Sequence, residues 1–259
     1  MRRGSKLTDL EKKILLYLLE GVTTARELYK KFFYKANQKH KTRLEVKRRK
    51  LINMKKKGYI DYKHYKTHES CIVVITERGV DKIAENMNFL DIDSAWTHLP
   101  REGHVQHDLL VAKSARKLYR ENKHITIYFE PFLRREFALT GKKRREVYFP
   151  DFRLSFIRDG QYSEEKSFNF EIVAGGITRK AFLGKIRSSA HHILFITKRL
   201  ETAVFLYNYA MKLNRAGVIN DQKIERLHFT YADEFFEDNS STYEWLTPPY
   251  QKRLRMDQF

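Results

Sequence analysis

Apolar residues recur with helical spacing through the first third of the chain. Leu10, Ile14, Leu15, Leu18 and Leu19 share one helical face before Gly21 stops the run. A second face carries Leu28, Phe32 and Phe33, and a third carries Leu44, Leu51 and Ile52. Each run opens on a capping-box pattern: TDLE from Thr8, TARE from Thr24 and TRLE from Thr42. In such a box the Thr hydroxyl accepts from a first-turn N–H while the Glu carboxylate accepts from the Thr amide. The boxes predict a helix apiece. Gly58 is placed to end the third. Beyond it the spacing becomes strand-like in YIDYKHY and CIVVIT, joined by a polar turn at Thr67 to Ser70, and a further helix is predicted over Glu77 to Glu85.

Residues 88–103 lose periodicity and contain Pro100 and Gly103, so they read as a linker. After them helices and strands alternate. Helices are predicted over His107 to Arg120, Thr178 to Arg187 and Glu201 to Arg215. Strands are predicted over residues 125–130, 147–156, 168–173, 192–197 and 225–231. The order α-β-β-β-α-β-α-β predicts a mixed sheet flanked by helices. The expected fold class is therefore α/β (α+β), with one unit over 1–87, a second over 104–232, and a tail over 233–259 containing Pro248 and Pro249. The tail's aromatic residues suit packing on the second unit or docking on a partner.

Helix, helix, helix, hairpin, helix is the order of a winged helix-turn-helix, and residues 5–87 resemble that superfamily by pattern. The resemblance implies DNA binding with the third helix in the major groove. Charge agrees with it. The chain carries net +19, and residues 1–90 alone hold 23 Lys and Arg against ten Asp and Glu. A surplus of this size suits a polyanionic partner, and charge alone does not separate DNA from RNA or an anionic membrane. Its location does: between Lys39 and Lys57 the single acid is Glu45, on the helix this fold presents to the groove. Lys41, Arg43, Lys47, Arg48 and Lys50 on the helix, with Lys63 and Lys66 on the hairpin, are the expected DNA contacts. Most should meet phosphates, while Arg43 and Lys47 on the first turns are placed to read base edges.

Other classes fall away. Cys71 is the single cysteine, which excludes an internal disulfide and a cysteine-based zinc site. No run reaches the roughly 18–20 apolar residues of a membrane span, and the N-terminus lacks a signal-peptide core, so a cytoplasmic location is expected.

Chemistry is suggested by two carboxylates in the second unit. Asp151 follows Pro150 within one predicted strand, and Glu171 lies near the end of the next. Neighbouring antiparallel strands bring such residues close, and a pair of hard oxygen donors suits Mg²⁺ or Mn²⁺. Residues 104–231 resemble the PD-(D/E)xK restriction-endonuclease-like fold, with Pro150–Asp151 at the first half-motif and Glu171 at the second. The resemblance implies a metal-dependent nuclease held by Asp151 and Glu171, with Glu130 a third acidic candidate that Arg134 or Arg135 could instead engage. Val173 stands where the family usually carries Lys. Two readings follow: the cation has moved to the next helix, where Lys180 and Lys185 lie, or the centre is inactive.

A winged helix followed by HDLLVAKSARKLY from His107, then PDFRL and FEIV, is similar to the plasmid replication-relaxation family, which includes MobC-class relaxases. The similarity implies a protein of a mobile element that binds an origin in double-stranded DNA, nicks it, and works with other relaxosome or transposition proteins, in the form of a homodimer or alone. Family members often carry a second acid two residues after the Glu, and Val173 breaks that pattern too. The competing function is a non-catalytic regulator or replication initiator. Among the remaining features, Lys142, Lys143, Arg144 and Arg145 form a basic loop able to guide a DNA strand towards Asp151. Two histidines three apart can hold a metal on one helix face, but His104 precedes the helix that His107 opens, so the pair is expected to serve capping or DNA contact. His191 and His192 are adjacent on a strand and face apart, and Gly175–Gly176 suits a tight turn.

Overall fold

The computed structural model describes residues 6–33, 40–85, 95–121, 125–140, 148–158, 161–237, 242–247 and 250–255. The chain divides into two compact units, Met1–Lys113 and Ser114–Phe259. The division falls inside a helix, later than the linker expected at 88–103.

The first unit runs α1 (Asp9–Leu19), β1 (Thr23–Thr24), α2 (Ala25–Phe33), α3 (His40–Lys56), β2 (Ile60–Lys63), β3 (Ile72–Ile75) and α4 (Glu77–Ala84). Two of the expected capping boxes are formed. Thr8 and Glu11 cap α1 reciprocally, and Thr24 and Glu27 do the same for α2, with Glu27 N donating to Thr24 Oγ1 at 3.0 Å and Thr24 N to Glu27 Oε2 at 3.2 Å. The third is not a start: α3 begins at His40, so Thr42 lies within the helix. A box marks a helix end only where the preceding residues leave helical conformation, and His40 and Lys41 do not. Gly58 ends α3 as expected. Its φ of 72° is a left-handed conformation that costs a glycine little, and Tyr59 N–H closes the turn on the Met54 carbonyl at 3.0 Å.

Strands β2 and β3 form an antiparallel hairpin in register Ile60↔Ile75 to Lys63↔Ile72, and β1 adds on the far side of β3. Ile14, Leu15, Leu18, Leu28, Leu51, Met54, Ile60, Val73, Ile75 and Ile83 share one buried core. The stripes of α1 and α2, with Leu51 of α3, thus point inward together.

The second unit is built on a seven-stranded mixed sheet in order β10-β9-β8-β7-β6-β5-β4. Its elements, after α5 (Val105–Glu121), are β4 (Ile125–Phe129), α6 (Glu130–Leu139), β5 (Phe152–Arg158), β6 (Gln161–Val173), α7 (Arg179–Ser188), β7 (His192–Thr197), α8 (Leu200–Arg215), α9 (Asp221–Ile224), β8 (Leu227–Tyr231), α10 (Ala232–Phe236), β9 (Thr242–Thr247) and β10 (Tyr250–Arg255). Strands β4, β5 and β6 are antiparallel neighbours, while β6, β7 and β8 are parallel. The tail joins the sheet through β9 and β10.

Two local expectations are corrected. The strand expected from residue 147 begins at Phe152, because Pro150 has no N–H to give the ladder. Glu130, expected at a strand end, is the first residue of α6. Pro131 suits that helix's first turn, where no N–H is needed. Side chains alternate across β6. Phe170 stacks on Phe152 on one face, 4.5 Å between ring centres. Val173 packs with Phe182 and Ile186 of α7 on the other, which is also the face of Glu171. Among the described residues no helix is long and apolar enough to cross a membrane.

Candidate active site

The polar centre of the second unit lies where β5 enters the sheet. Asp151 is stitched in place by its backbone: its N–H donates to the Phe170 carbonyl at 3.1 Å, and its own carbonyl accepts from Glu130 N–H at 3.0 Å. Its carboxylate Oδ2 accepts from Ile172 N–H at 2.6 Å. These bonds fix Asp151 beside Glu171, across the antiparallel β5–β6 pair.

Glu171 is 2% exposed. One of its oxygens accepts from the Tyr148 hydroxyl and the other pairs with the Lys185 ammonium. Lys185 reaches it because Phe182 and Ile186 are sunk in the core beneath α7, which turns the intervening face towards the sheet. Lys180, five residues earlier, is exposed at the start of the same helix and is not brought to the carboxylates. Val173, at the position where Lys was missing, is core. Of the two lysines on the next helix, Lys185 is the one that meets Glu171.

Burial pushes the Glu171 carboxyl up, and the neighbouring Asp151 charge pushes it further, against the opposing pull of Lys185 and Tyr148, to about 8. Burial likewise raises the Tyr148 phenol, reinforced by the charge and hydrogen bond of Glu171. Two carboxyls facing each other at a desolvated site favour a cation between them. The donor set therefore fits a hard divalent ion, for which Asp151 and Glu171 are the holding residues.

Comparison with family models, with curated proteins and with solved structures returned no match. The geometry has to speak by itself.

Below the carboxylates the same sheet face carries a polar brace. Arg153 Nε donates to Asn169 Oδ1 at 3.0 Å, Asn169 Nδ2 donates to Ser189 Oγ at 3.0 Å, and Ser155 bonds Ser167 at 2.9 Å. Past Glu171, the ends of β6 and β7 open on a cleft of about 390 Å³ lined by Gly175, Gly176, Lys198, Arg199 and Phe205. Glu130 is held by Arg134 across one helical turn, with Nε at 2.6 Å from Oε1. Its backbone touches the site and its carboxylate is paired, the second of the roles open to it.

The remaining expected residues divide. Arg48 and Lys63 are exposed, as is Lys66, while Lys50 is turned to Glu11 at 3.4 Å. The side chains of Lys41, Arg43 and Lys47, and all of Lys142, Lys143, Arg144 and Arg145, lie outside the described residues. His192 does not pair with His191. Its ring stacks on His228, with Nδ1 and Nε2 2.9 Å apart. Burial holds both histidines below their usual range, His228 down to about 3. Tyr148 was not singled out in the sequence. Its position three residues before Asp151, in an aromatic run, is the one signal available for it.

Proposed function

We propose that this chain is a DNA-processing protein of a mobile element, in which a winged helix binds duplex DNA and a PD-(D/E)xK-like unit nicks it with Mg²⁺ or Mn²⁺. The observation that carries the reading is the meeting of Lys185 with Glu171 beside Asp151. Sequence pattern alone lacked the third group of such a centre, and α7 supplies a cation at that point. The helix order of the first unit, its hairpin and its basic α3 support the DNA-binding half. On this reading the protein acts in the cytoplasm on an origin-like site, alone or as a homodimer.

In the mechanism, a bound divalent ion supplies Lewis acidity at the scissile phosphate. Asp151, locked by the Ile172 amide, and Glu171, locked by Tyr148, are the residues whose oxygens would hold it. Lys185 sits on the edge of that pair, where an ammonium orients the attacking water and offsets negative charge as the phosphodiester is attacked. Arg153 and Asn169 keep the strand pair rigid, so that the carboxylates are placed before DNA arrives. Lys198 and Arg199, on the cleft past Glu171, offer phosphate contacts along the strand.

Incubation of supercoiled plasmid bearing the element's origin with Mg²⁺ or Mn²⁺ tests the proposal. Wild type should yield nicked circles. Asp151→Asn and Lys185→Met should each lower the rate by about 100-fold or more. Equal nicking by wild type and Asp151→Asn, or none by wild type with either ion, sinks the nuclease reading.

A second reading has one observation in its favour. Both Glu171 oxygens already have protein partners, which suits a closed structural network in a non-catalytic regulator or replication initiator. In that case the protein binds origin DNA and leaves it intact at every metal concentration.

A further inference from the structure

A second cluster of metal-ligating side chains lies in the first unit. A 3-10 turn over Glu102–His104 runs directly into α5 at Val105. His104 therefore precedes His107 by three residues and Asp108 by four, the spacing at which side chains share one helical face. The ligand atoms of His104, His107 and Asp108 all lie within 4.8 Å of one another. His107 Nδ1 and Asp108 Oδ1 are 3.0 Å apart, and the His104 and His107 rings meet edge to face.

The three side chains are unequal, which suits the assembly of a site. Asp108 is 7% exposed and its carboxylate is fixed beside His107, while His104 is exposed at the rim. A tetrahedral ion with metal–nitrogen bonds of about 2.1 Å needs ligand atoms about 3.4 Å apart. The His107–Asp108 separation is already shorter than that, and a rotation of exposed His104 closes the rest. The surroundings are also held. The His104 amide donates to the Arg101 carbonyl at 2.9 Å, and the hydroxyl of buried Tyr65 donates to the Pro100 carbonyl, tying the approach to α5 to the segment after β2.

We propose that His104, His107 and Asp108 form a binding site for a divalent transition-metal ion of the Zn²⁺ class. Two imidazoles and one carboxylate are a donor set for Zn²⁺, Co²⁺ or Ni²⁺ and a poor one for Mg²⁺, which prefers oxygen alone. The ion clamps the residues before α5 to its first turn. One coordination position stays open to water, and the site is chemically distinct from the paired carboxylates of the second unit.

The test is calorimetric titration of the full, untagged, chelator-stripped chain with Zn²⁺, repeated with Co²⁺ and followed by visible absorption. One Zn²⁺ per chain is expected, unaffected by excess Mg²⁺, with a rise in melting temperature on loading. Because His104 is exposed, His104→Ala should fold normally and weaken binding by more than about tenfold. His107→Ala should abolish it, while Asp151→Asn and Cys71→Ser should bind as wild type does. Absence of Zn²⁺ binding by wild type, or unchanged binding by His104→Ala and His107→Ala, overturns the site. Loss in Asp151→Asn alone overturns it too, because the ion then belongs to the carboxylate pair. Since the readout is binding, a failure to nick DNA leaves this test intact.

Discussion

Two glutamates in different units are nearly closed to solvent and held by the same kinds of group, yet their acidities lie far apart. Glu11 is 1% exposed and Glu171 is 2% exposed. Each meets a lysine and a hydroxyl group: Lys57 at 3.0 Å and Thr8 for Glu11, Lys185 and Tyr148 for Glu171. Burial raises the Glu11 carboxyl, but the Thr8 amide, Lys57, the Thr8 hydroxyl and Lys50 outweigh it, bringing the group down to about 2. Glu171 is set deeper, so burial raises it most, Asp151 beside it pushes it further, and the group rises to about 8. The difference teaches which burial is finished and which is waiting. Glu11 is satisfied by its neighbours and serves the fold. Glu171 is kept against a like charge, an arrangement that persists where a ligand or a reaction uses it.

Breaking the comparison starts with stability. Glu11→Ala removes a cap and leaves two lysines without their acceptor, so it should cost about 2 kcal/mol in denaturant unfolding. Glu171→Gln resembles the protonated form that already dominates near neutrality. Having no proton to lose, it should be more stable than wild type at pH 7 rather than less, because wild type has by then given up most of the stability that the raised carboxyl provides in acid. Equal losses would collapse the distinction.

The pH dependence separates the two more finely. Glu171 binds its proton more tightly in the folded chain than its ordinary value of 4.5 allows. Its contribution is therefore present below 4.5 and lost as pH rises towards about 8. Glu11 behaves oppositely: its contribution is present above 4.5 and lost as pH falls towards about 2. Stability measured against pH should thus gain relative to wild type in Glu171→Gln across the alkaline side of the range. In Glu11→Ala the deficit should shrink in acid. A flat difference curve for either variant rejects the assignment of that group.

The smallest effect concerns DNA. Log affinity should fall with log salt by roughly 0.9 per phosphate contact, and Arg48→Ala should reduce that slope by about one contact. Asp151→Asn should leave the slope unchanged, keeping binding and chemistry in separate units. An affinity insensitive to salt contradicts the electrostatic account.

What could be read from the sequence was local. The Thr8–Glu11 and Thr24–Glu27 boxes span a single turn, and Gly58 announces its own conformation, so pattern alone placed them. The strand after His192 stood out by its unbroken apolar run, and the strand around Glu171 by alternating apolar and polar residues. What escaped was set by rotation and pairing. Choosing Lys185 over Lys180 requires knowing which face of α7 Phe182 and Ile186 bury. Tyr148 acquires meaning only when the chain before β5 folds over β6. Asp108 was invisible as a partner of the histidines until His104 was seen to run straight into α5. Helix α6 was not expected between the strands, and Pro131 is the residue that suits its first turn. The tail was left between two fates, and pairing with β8 decides for the sheet.

The origin of Lys185 has a consequence for control. Glu171 belongs to the sheet, Asp151 to the residue that leads into β5, and the cation to a helix packed over them through Phe182 and Ile186, so the centre is divided between two parts. A shift of α7 by a single residue's rise would uncouple the lysine while leaving both carboxylates in register. On the proposed reading the trio works as a clutch: whatever presses on α7 would engage or release the chemistry without touching the acids themselves.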